Sequence, residues 1–401
     1  MVKIGIYGGT FNPVHTGHIH AAKQATEILG LDKLIMIPDR IAPHKEIPAG
    51  SPTPEQRLQM LRIAVEGEPK IEVSDIELKR EGKSFTYLTV EALSEQYPEA
   101  ELYLLMGTDM FLSFHSWREP QRITAKATLA VMYRGEKGEQ EKIDACKARM
   151  EAEGVRVALV KNETIPISST QLRRLIAFRC AAGFLPTGVE EYIRCHSLYD
   201  AAADWKSLPM EQLEPIVVRL LNPNRVAHVL GCRDTAVELA KHWGADVTDA
   251  ARAGILHDIT KALDGPLQLT LCEAYGKILS AFSRKYPKTL HALTGSLVAE
   301  RLFGENEAVV SAICHHTTGK AGMNLLEKII YVADYMEPCR NFPGVERLRE
   351  LAFSDIDAAL KLGLEMTLVH LANLGDEVSP ESREALEYLN NRSQERKEKI
   401  C

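Results

Sequence analysis

Short apolar runs alternate with amphipathic stretches along the first half of the chain. KIGIY is followed by HIHAAKQATEIL, then KLIMIP, then PEQRLQMLRIAVEG, a rhythm that predicts strand, helix, strand, helix. ELYLLMG, ATLAVMY and VRVALV continue it. Near-continuous apolar strands joined through helices are what a parallel sheet covered on both faces requires. Residues 1–200 therefore predict a doubly wound α/β domain. Beyond about Tyr199 the strand-like runs stop. RDTAVELAKHWG, TDAARAGILHDITKAL, LTGSLVAERLFG and LLEKIIYVADYM carry apolar residues at helical spacing, which predicts an all-helical bundle over 210–401. Between the two, residues 201–209 lack periodic large apolar side chains and include Pro209, as expected of a junction.

A length of 401 residues is ample for two separate cores. The formal net charge of -7 offers no basic surplus, which argues against extended nucleic-acid or membrane-surface binding and confines phosphate recognition to local pockets. The eight cysteines, Cys146, Cys180, Cys195, Cys232, Cys272, Cys314, Cys339 and Cys401, form no CxxC pair and no disulfide-like framework. The opening MVKIGIYGG is too short an apolar run for a signal peptide, and no later run suits a bilayer span. A cytosolic location is expected, and self-association stays open. The final SQERKEKI reads as a solvated helix end. The proline-rich stretch Pro38 to Pro54 is too long for a simple connector and is a candidate lid.

The sharpest local signal is GGTFNPVHTGH, which follows the first strand and opens the first helix. That is the crevice position where open α/β sheets bind ligands. Gly8 and Gly9 let the backbone approach a phosphate, and the helix start supplies N–H groups and a favourable dipole. His15 and His18, three apart, can present two imidazoles on one face. Further on, ISSTQLRR sets Ser168, Ser169 and Thr170 at a helix start with Arg173 one turn inside, a second anion site in principle. Taken singly, glycines after a strand make turns and a Ser/Thr start is an ordinary cap.

Combined, these strings resemble the T/HxGH nucleotidyltransferases, with Rossmann-like folds, and FNPVHTGH in particular is similar to nicotinate mononucleotide adenylyltransferase over essentially residues 1–200. The resemblance implies ATP contacts at Gly8, Gly9, Thr10, Phe11, Asp109, Ser168, Ser169 and Thr170. It implies mononucleotide contacts at His44, Thr86, Trp117 and Arg134, and charge cancellation by His15, His18, Lys45 and Arg173 with Mg²⁺. The attacking group would be the ionised phosphate of the mononucleotide, so no nucleophilic side chain and no strong base is needed. Nicotinamide mononucleotide is the alternative acceptor.

In the helical half, RVAHVLG, ILHDITK, TLHALTG, AICHHTTG and YVADYMEP distribute histidines and carboxylates over several helices. Imidazole and carboxylate from different helices suit a divalent transition metal inside a bundle. A lone helical histidine is more often a satisfied core or surface residue, the reading favoured for His242, His370 and His316. Asp334, inside an apolar run, needs partners if buried. The ordered set resembles the HD superfamily, and HTTG, YVADYMEPCRNFPGV and LHDITK resemble its YqeK branch of symmetrical diadenosine tetraphosphate hydrolases. The resemblance implies metal at His228, His257, Asp258 and Asp334, with Fe or Mn as candidate ions. It also implies a second metal or phosphate contact at His291 and His315, with Lys261 neutralising the product. A dinucleoside polyphosphate would then be cleaved to two ADP. The alternatives are another nucleotide substrate or a nucleotide sensor without turnover.

Overall fold

The computed structural model describes residues 1–42, 47, 48, 50–133 and 138–398. His44, Lys45 and Arg134 lie outside the described residues. The chain divides into two compact units, Met1–Ala203 and Asp204–Cys401.

The first unit is a parallel sheet in the order β3-β2-β1-β4-β5-β6. Its strands are β1 (Val2–Gly9), β2 (Lys33–Pro38), β3 (Ile71–Val73), β4 (Ala100–Gly107), β5 (Ala127–Tyr133) and β6 (Val157–Lys161). The inner strands are apolar on both sides because helices cover both faces. Ile4, Ile6, Ile35, Ile37, Leu102, Leu104, Leu129 and Val131 form one buried cluster, each such side chain contributing about 1.5–3 kcal/mol by leaving water. β3 went unanticipated: Ile71 and Val73 flank the exposed Glu72, a run too short for period-2 alternation to stand out. Strand order reverses direction between β1 and β4, so their carboxyl ends border the crevice where such sheets bind ligands.

Two helices close that crevice in sequence, α1 (Thr16–Leu29) and α2 (Pro54–Ala64), and α3 (Ser169–Ala177) returns to it from the end of the sheet. Gly30 ends α1 at φ 61°, the left-handed conformation that glycine adopts without a Cβ penalty. Arg57 on α2 is wholly buried, donating to Asp39 Oδ1 at 3.1 Å, to the Asp39 carbonyl at 2.7 Å and to the Thr10 carbonyl at 2.6 Å. Thr10 Oγ1 donates in turn to Asp39 Oδ2 at 2.7 Å. One buried ion pair thus pins the loop after β1 to the end of β2.

The second unit is helical throughout its described length. Its centre comprises α4 (Val226–Trp243), α5 (Val247–Leu256), α6 (Leu290–Val298), α7 (Glu307–His315) and α8 (Leu325–Met336). Apolar stripes such as Val309, Ala312 and Ile313, or Ile329, Ile330 and Ala333, line the shared core. LTGSLVAERLFG is not one α-helix: α6 gives way at Ala299–Phe303 to a wider π-helical turn ended by Gly304 at φ 68°. The described part of SQERKEKI, residues 393–398, belongs to the helix Pro380–Glu398.

Candidate functional site

In the first unit the motif GGTFNPVHTGH makes the connection from β1 to α1. A Cβ added to Gly8, or to Gly107 at the end of the neighbouring β4, would meet nothing within 4 Å, so the two strand ends open onto free space. His15 is the N-cap of α1, and its backbone N–H donates to His18 Nδ1 at 3.3 Å. An accepting Nδ1 assigns the proton of a neutral His18 to Nε2, leaving that nitrogen a donor. The rings stack at 3.7 Å between centroids, and Phe11 meets His18 edge-on at 5.1 Å. Gly17 between them leaves the ring its room: a Cβ there would lie 3.0 Å from His15 Nδ1 and press on it. Burial lowers the His15 pKa to about 4 and, with the neighbouring His15, holds His18 well below the usual imidazole range. Both rings are therefore neutral near pH 7, and His15 Nδ1 is buried without a hydrogen-bond partner.

The second string is brought against the first. Ser169 Oγ donates to the Pro13 carbonyl at 3.1 Å and Arg173 to the Asn12 carbonyl at 2.8 Å, while a second Arg173 nitrogen reaches Thr170 Oγ1 at 3.1 Å. Ser168 caps α3 by accepting from the Gln171 N–H. Tyr199 Oη, which sequence reasoning missed, donates to Asn12 Oδ1 at 2.8 Å from the end of the unit. Asp109 is exposed in the first turn of the short helix after Gly107. Thr86 opens a helix, and the segments holding Thr86 and Trp117 meet where the guanidinium of Arg118 lies 4.6 Å from the ring centre of Phe85.

In the second unit, side chains from separate helices converge on one point. His228 Nε2 lies 3.3 Å from His257 Nε2, 3.2 Å from Asp334 Oδ1 and 3.6 Å from Asp258 Oδ2. His291 Nε2 and His316 Nε2 face Asp258 Oδ1 at 3.4 and 3.8 Å. His228, His257 and Asp334 form one group able to hold a metal ion, and His257, Asp258 and His316 another. His316, expected to be an ordinary core or surface residue, belongs here, whereas its neighbour His315 turns away. His315 Nδ1 donates to the Ser311 carbonyl at 2.8 Å and lies 3.7 Å from Glu327. The signal was present in the stripe Val309, Ala312 and Ile313, which continues by helical spacing to position 316 and not 315.

The donor set is that of a cation site. In each of the four converging histidines Nδ1 faces an acceptor: the Gly254 carbonyl for His257 (2.7 Å), the Lys288 carbonyl for His291 (2.9 Å), the Ile313 carbonyl for His316 (2.7 Å) and Glu337 Oε1 for His228 (3.0 Å). With Nδ1 so engaged, Nε2 is the nitrogen that each ring turns toward the centre of the cluster. A cation placed among these nitrogen and carboxylate groups would be held by both kinds of donor. Asp258 Oδ1 and His316 Nε2 are buried without a hydrogen-bond partner. Burial pushes the Asp258 and Asp334 carboxyls up, but the facing imidazoles and, for Asp334, Arg340 draw both well below the usual range. Burial lowers the His257 pKa to about 4 and that of His291 to about 3.

Cationic side chains surround this cluster. Arg225 pairs with Asp258, Arg340 with Asp334 at 2.6 Å, and Lys261 Nζ lies 3.1 Å from His291 Nε2. The two arginines were not anticipated from the sequence; each side chain is about one third exposed.

Residues 6–175 match a family described as cytidylyltransferase-like and residues 225–339 match the HD domain. Residues of the first half are 38% identical to a "probable nicotinate-nucleotide adenylyltransferase" of Dictyoglomus turgidum, the match covering 49% of this chain and 96% of the relative. A "probable nicotinate-nucleotide adenylyltransferase/Ap4A hydrolase" of Mycoplasma pneumoniae is 29% identical over 92% of this chain and 99% of its own length. A solved HD superfamily hydrolase of Clostridium acetobutylicum, described as involved in NAD metabolism, is 36% identical, with a TM-score of 0.45, covering 46% of this chain and 98% of its own.

Proposed function

The chain belongs through its first half to the nicotinate-nucleotide adenylyltransferase family and carries an HD domain in its second, and we propose that it is a bifunctional enzyme, an adenylyltransferase and a metal-dependent nucleotide hydrolase. The first unit transfers AMP from ATP to nicotinate mononucleotide, giving nicotinate adenine dinucleotide and pyrophosphate. A phosphate oxygen of the mononucleotide bonds to the α-phosphorus of ATP while the bond to pyrophosphate breaks. Catalysis is positioning plus offset of negative charge. The observation that carries this reading is the orientation of His18, whose Nε2–H is left to donate beside the open end of β1. His15, Arg173 and the start of α3 supply further donors, and Mg²⁺ would arrive with ATP. Incubating the purified chain with ATP and nicotinate mononucleotide should release pyrophosphate and the dinucleotide in equal amounts; neither product would overturn the reading. The same assay with the amide mononucleotide ranks the two acceptors.

The second unit hydrolyses diadenosine tetraphosphate to two ADP. The residues fit a divalent ion: His228, His257, Asp258 and Asp334 would hold it, with His291 and His316 adjoining. Fe²⁺ or Mn²⁺ suits this mixture of imidazole and carboxylate. Such an ion supplies Lewis acidity, offsetting charge on phosphate oxygens and acidifying a water. Arg225, Arg340 and Lys261 at the margin have the charge to grip the remaining phosphates. The carrying observation is the convergence of Nε2 atoms on two carboxylates, the buried Asp258 and the half-buried Asp334. Diadenosine tetraphosphate with Mn²⁺ should yield ADP alone; AMP with ATP, or no cleavage, would overturn symmetric hydrolysis, and binding without turnover would favour a sensor. The seven described cysteines are free, which supports a reducing, cytosolic setting. No helix among the described residues is long and apolar enough to cross a membrane.

A further inference from the structure

Three of the four imidazoles that converge in the second unit are oriented by their own chain segment. His257, His291 and His316 each direct Nδ1 at the carbonyl three residues earlier, Gly254, Lys288 and Ile313. His228 is different. Its Nδ1 partner is Glu337, 109 positions along the chain, at 3.0 Å.

Glu337 is held for that task. Its carboxylate is 1% exposed, its Oε2 accepts the Cys339 N–H at 2.6 Å, and it lies at the turn that ends α8, three residues beyond Asp334. Room for it is made by Gly231 on α4, one turn after His228, where a Cβ would lie 2.7 Å from Glu337 Oε2. A notch in one helix and a backbone donor at the end of the other thus fix one carboxylate oxygen, and the second faces the His228 ring at 3.0 Å with Arg340 Nε farther off at 3.8 Å.

We infer that Glu337 is a positioning residue that sets the tautomer and aim of His228, seated in the notch at Gly231, so that Nε2 is presented to a divalent cation. This rests on the reading of the second unit as a cation site. Without an acceptor at Nδ1, the ring is free to place its proton on Nε2 or to rotate away, and either outcome removes a ligand. A carboxylate in this position also raises the basicity of the ring nitrogen that it does not touch.

The test uses the full chain freed of metal by chelator and titrated with Mn²⁺ alone, free Mn²⁺ being read by its electron paramagnetic resonance signal. Glu337→Ala should weaken Mn²⁺ binding by about 10–100-fold, and Glu337→Gln, whose amide oxygen still accepts from Nδ1–H, should recover most of that loss. Gly231→Ala should weaken binding with the carboxylate still present. In the metal-free chain, ¹⁵N spectra of labelled histidine should show one ring changing tautomer in Glu337→Ala and not in Glu337→Gln. Binding by Glu337→Ala within twofold of the parent, at an unchanged melting temperature, would overturn the inference, as would a Gln variant no better than the Ala variant. Should the Ala variant fail to fold, Gly231→Ala decides, and parent-like Mn²⁺ binding by it overturns the inference. A parent chain that takes up no Mn²⁺ overturns the cation site and this inference together; a parent that binds, matched by its variants, overturns this inference alone.

Discussion

The two units solve the problem of holding phosphate chemistry in opposite ways. In the sheet unit the glycines and both imidazoles follow one another along a single loop, from Gly8 to His18, joined by only one distant segment, the start of α3 with Arg173, and what orients the loop is backbone: a strand end, a helix start, and an N–H of His15 on the ring of His18. In the helical unit only His257 and Asp258 are chain neighbours. The remaining groups come from separate helices, and their aim depends on individual acceptors for each ring. A loop at the carboxyl end of an inner strand can be precise with few dedicated supports. A site assembled across helices needs one support per ligand, and those supports are spread over the whole domain.

That contrast can be broken in several ways. The largest effect is expected from Asp258→Ala: metal-stimulated hydrolysis should fall by more than about a hundredfold, since losing even an outer support costs 10–100-fold, while adenylyl transfer by the same chain persists. His18→Ala should show the mirror image, a kcat loss in adenylyl transfer of about 10²–10³ with hydrolysis of diadenosine tetraphosphate intact. Near-normal turnover in either variant would remove that residue from its site. Asp39→Ala strands the buried Arg57 and should cost about 3–5 kcal/mol of stability in the sheet unit, read by denaturant unfolding; a loss under 1 kcal/mol would mean that Arg57 finds other acceptors. Between the adjacent histidines, His316→Ala should reduce Mn²⁺ affinity about tenfold or more, and His315→Ala should leave it near the parent value. Equal effects would erase the distinction drawn from their orientations.

The smallest effect concerns acidity. His15 has a pKa of about 4 when folded, lowered by burial, against about 6.5 in the unfolded chain. The unfolded state therefore binds the extra proton first, so the stability owed to the neutral ring is present above about pH 6.5 and is lost as pH falls toward 4, levelling below. His15 alone should move the melting of the sheet unit down across that window by an amount worth about 3 kcal/mol, His18 adds a loss of the same sign, and His15→Gln should reduce the slope. Added Mn²⁺ should oppose acid in the helical unit and leave this slope unchanged.

The same contrast governs what the amino-acid string reveals. A contiguous loop between a legible strand and a legible helix can be read directly, and the GGTFNPVHTGH segment stands where the alternation of apolar runs put it. The helical character of residues beyond 204 was equally plain, because apolar stripes repeat over many turns. What escaped was long-range and side-chain specific. The Arg57–Asp39 pair joins a helix to a strand end. Glu337 serves a ring 109 positions away. Arg225 and Arg340 look like surface charges until the carboxylates that they meet are placed. The His315–His316 pair was separable in principle by continuing the stripe of α7, but the choice hinged on a single 100° step around a helix end. Three-residue β3 failed for want of length.

The difference in how the four rings are supported has a consequence in time. His257, His291 and His316 can acquire their Nδ1 bonds as soon as their own few residues coil, an event of well under a millisecond in a short helix. His228 cannot, because its acceptor belongs to a turn that the chain does not reach for more than a hundred residues. As the polypeptide emerges, three imidazoles have their acceptors within reach from the start, and the fourth waits for the turn at Glu337 to dock against Gly231. Of these four histidines, the first to be made is the last to gain its acceptor.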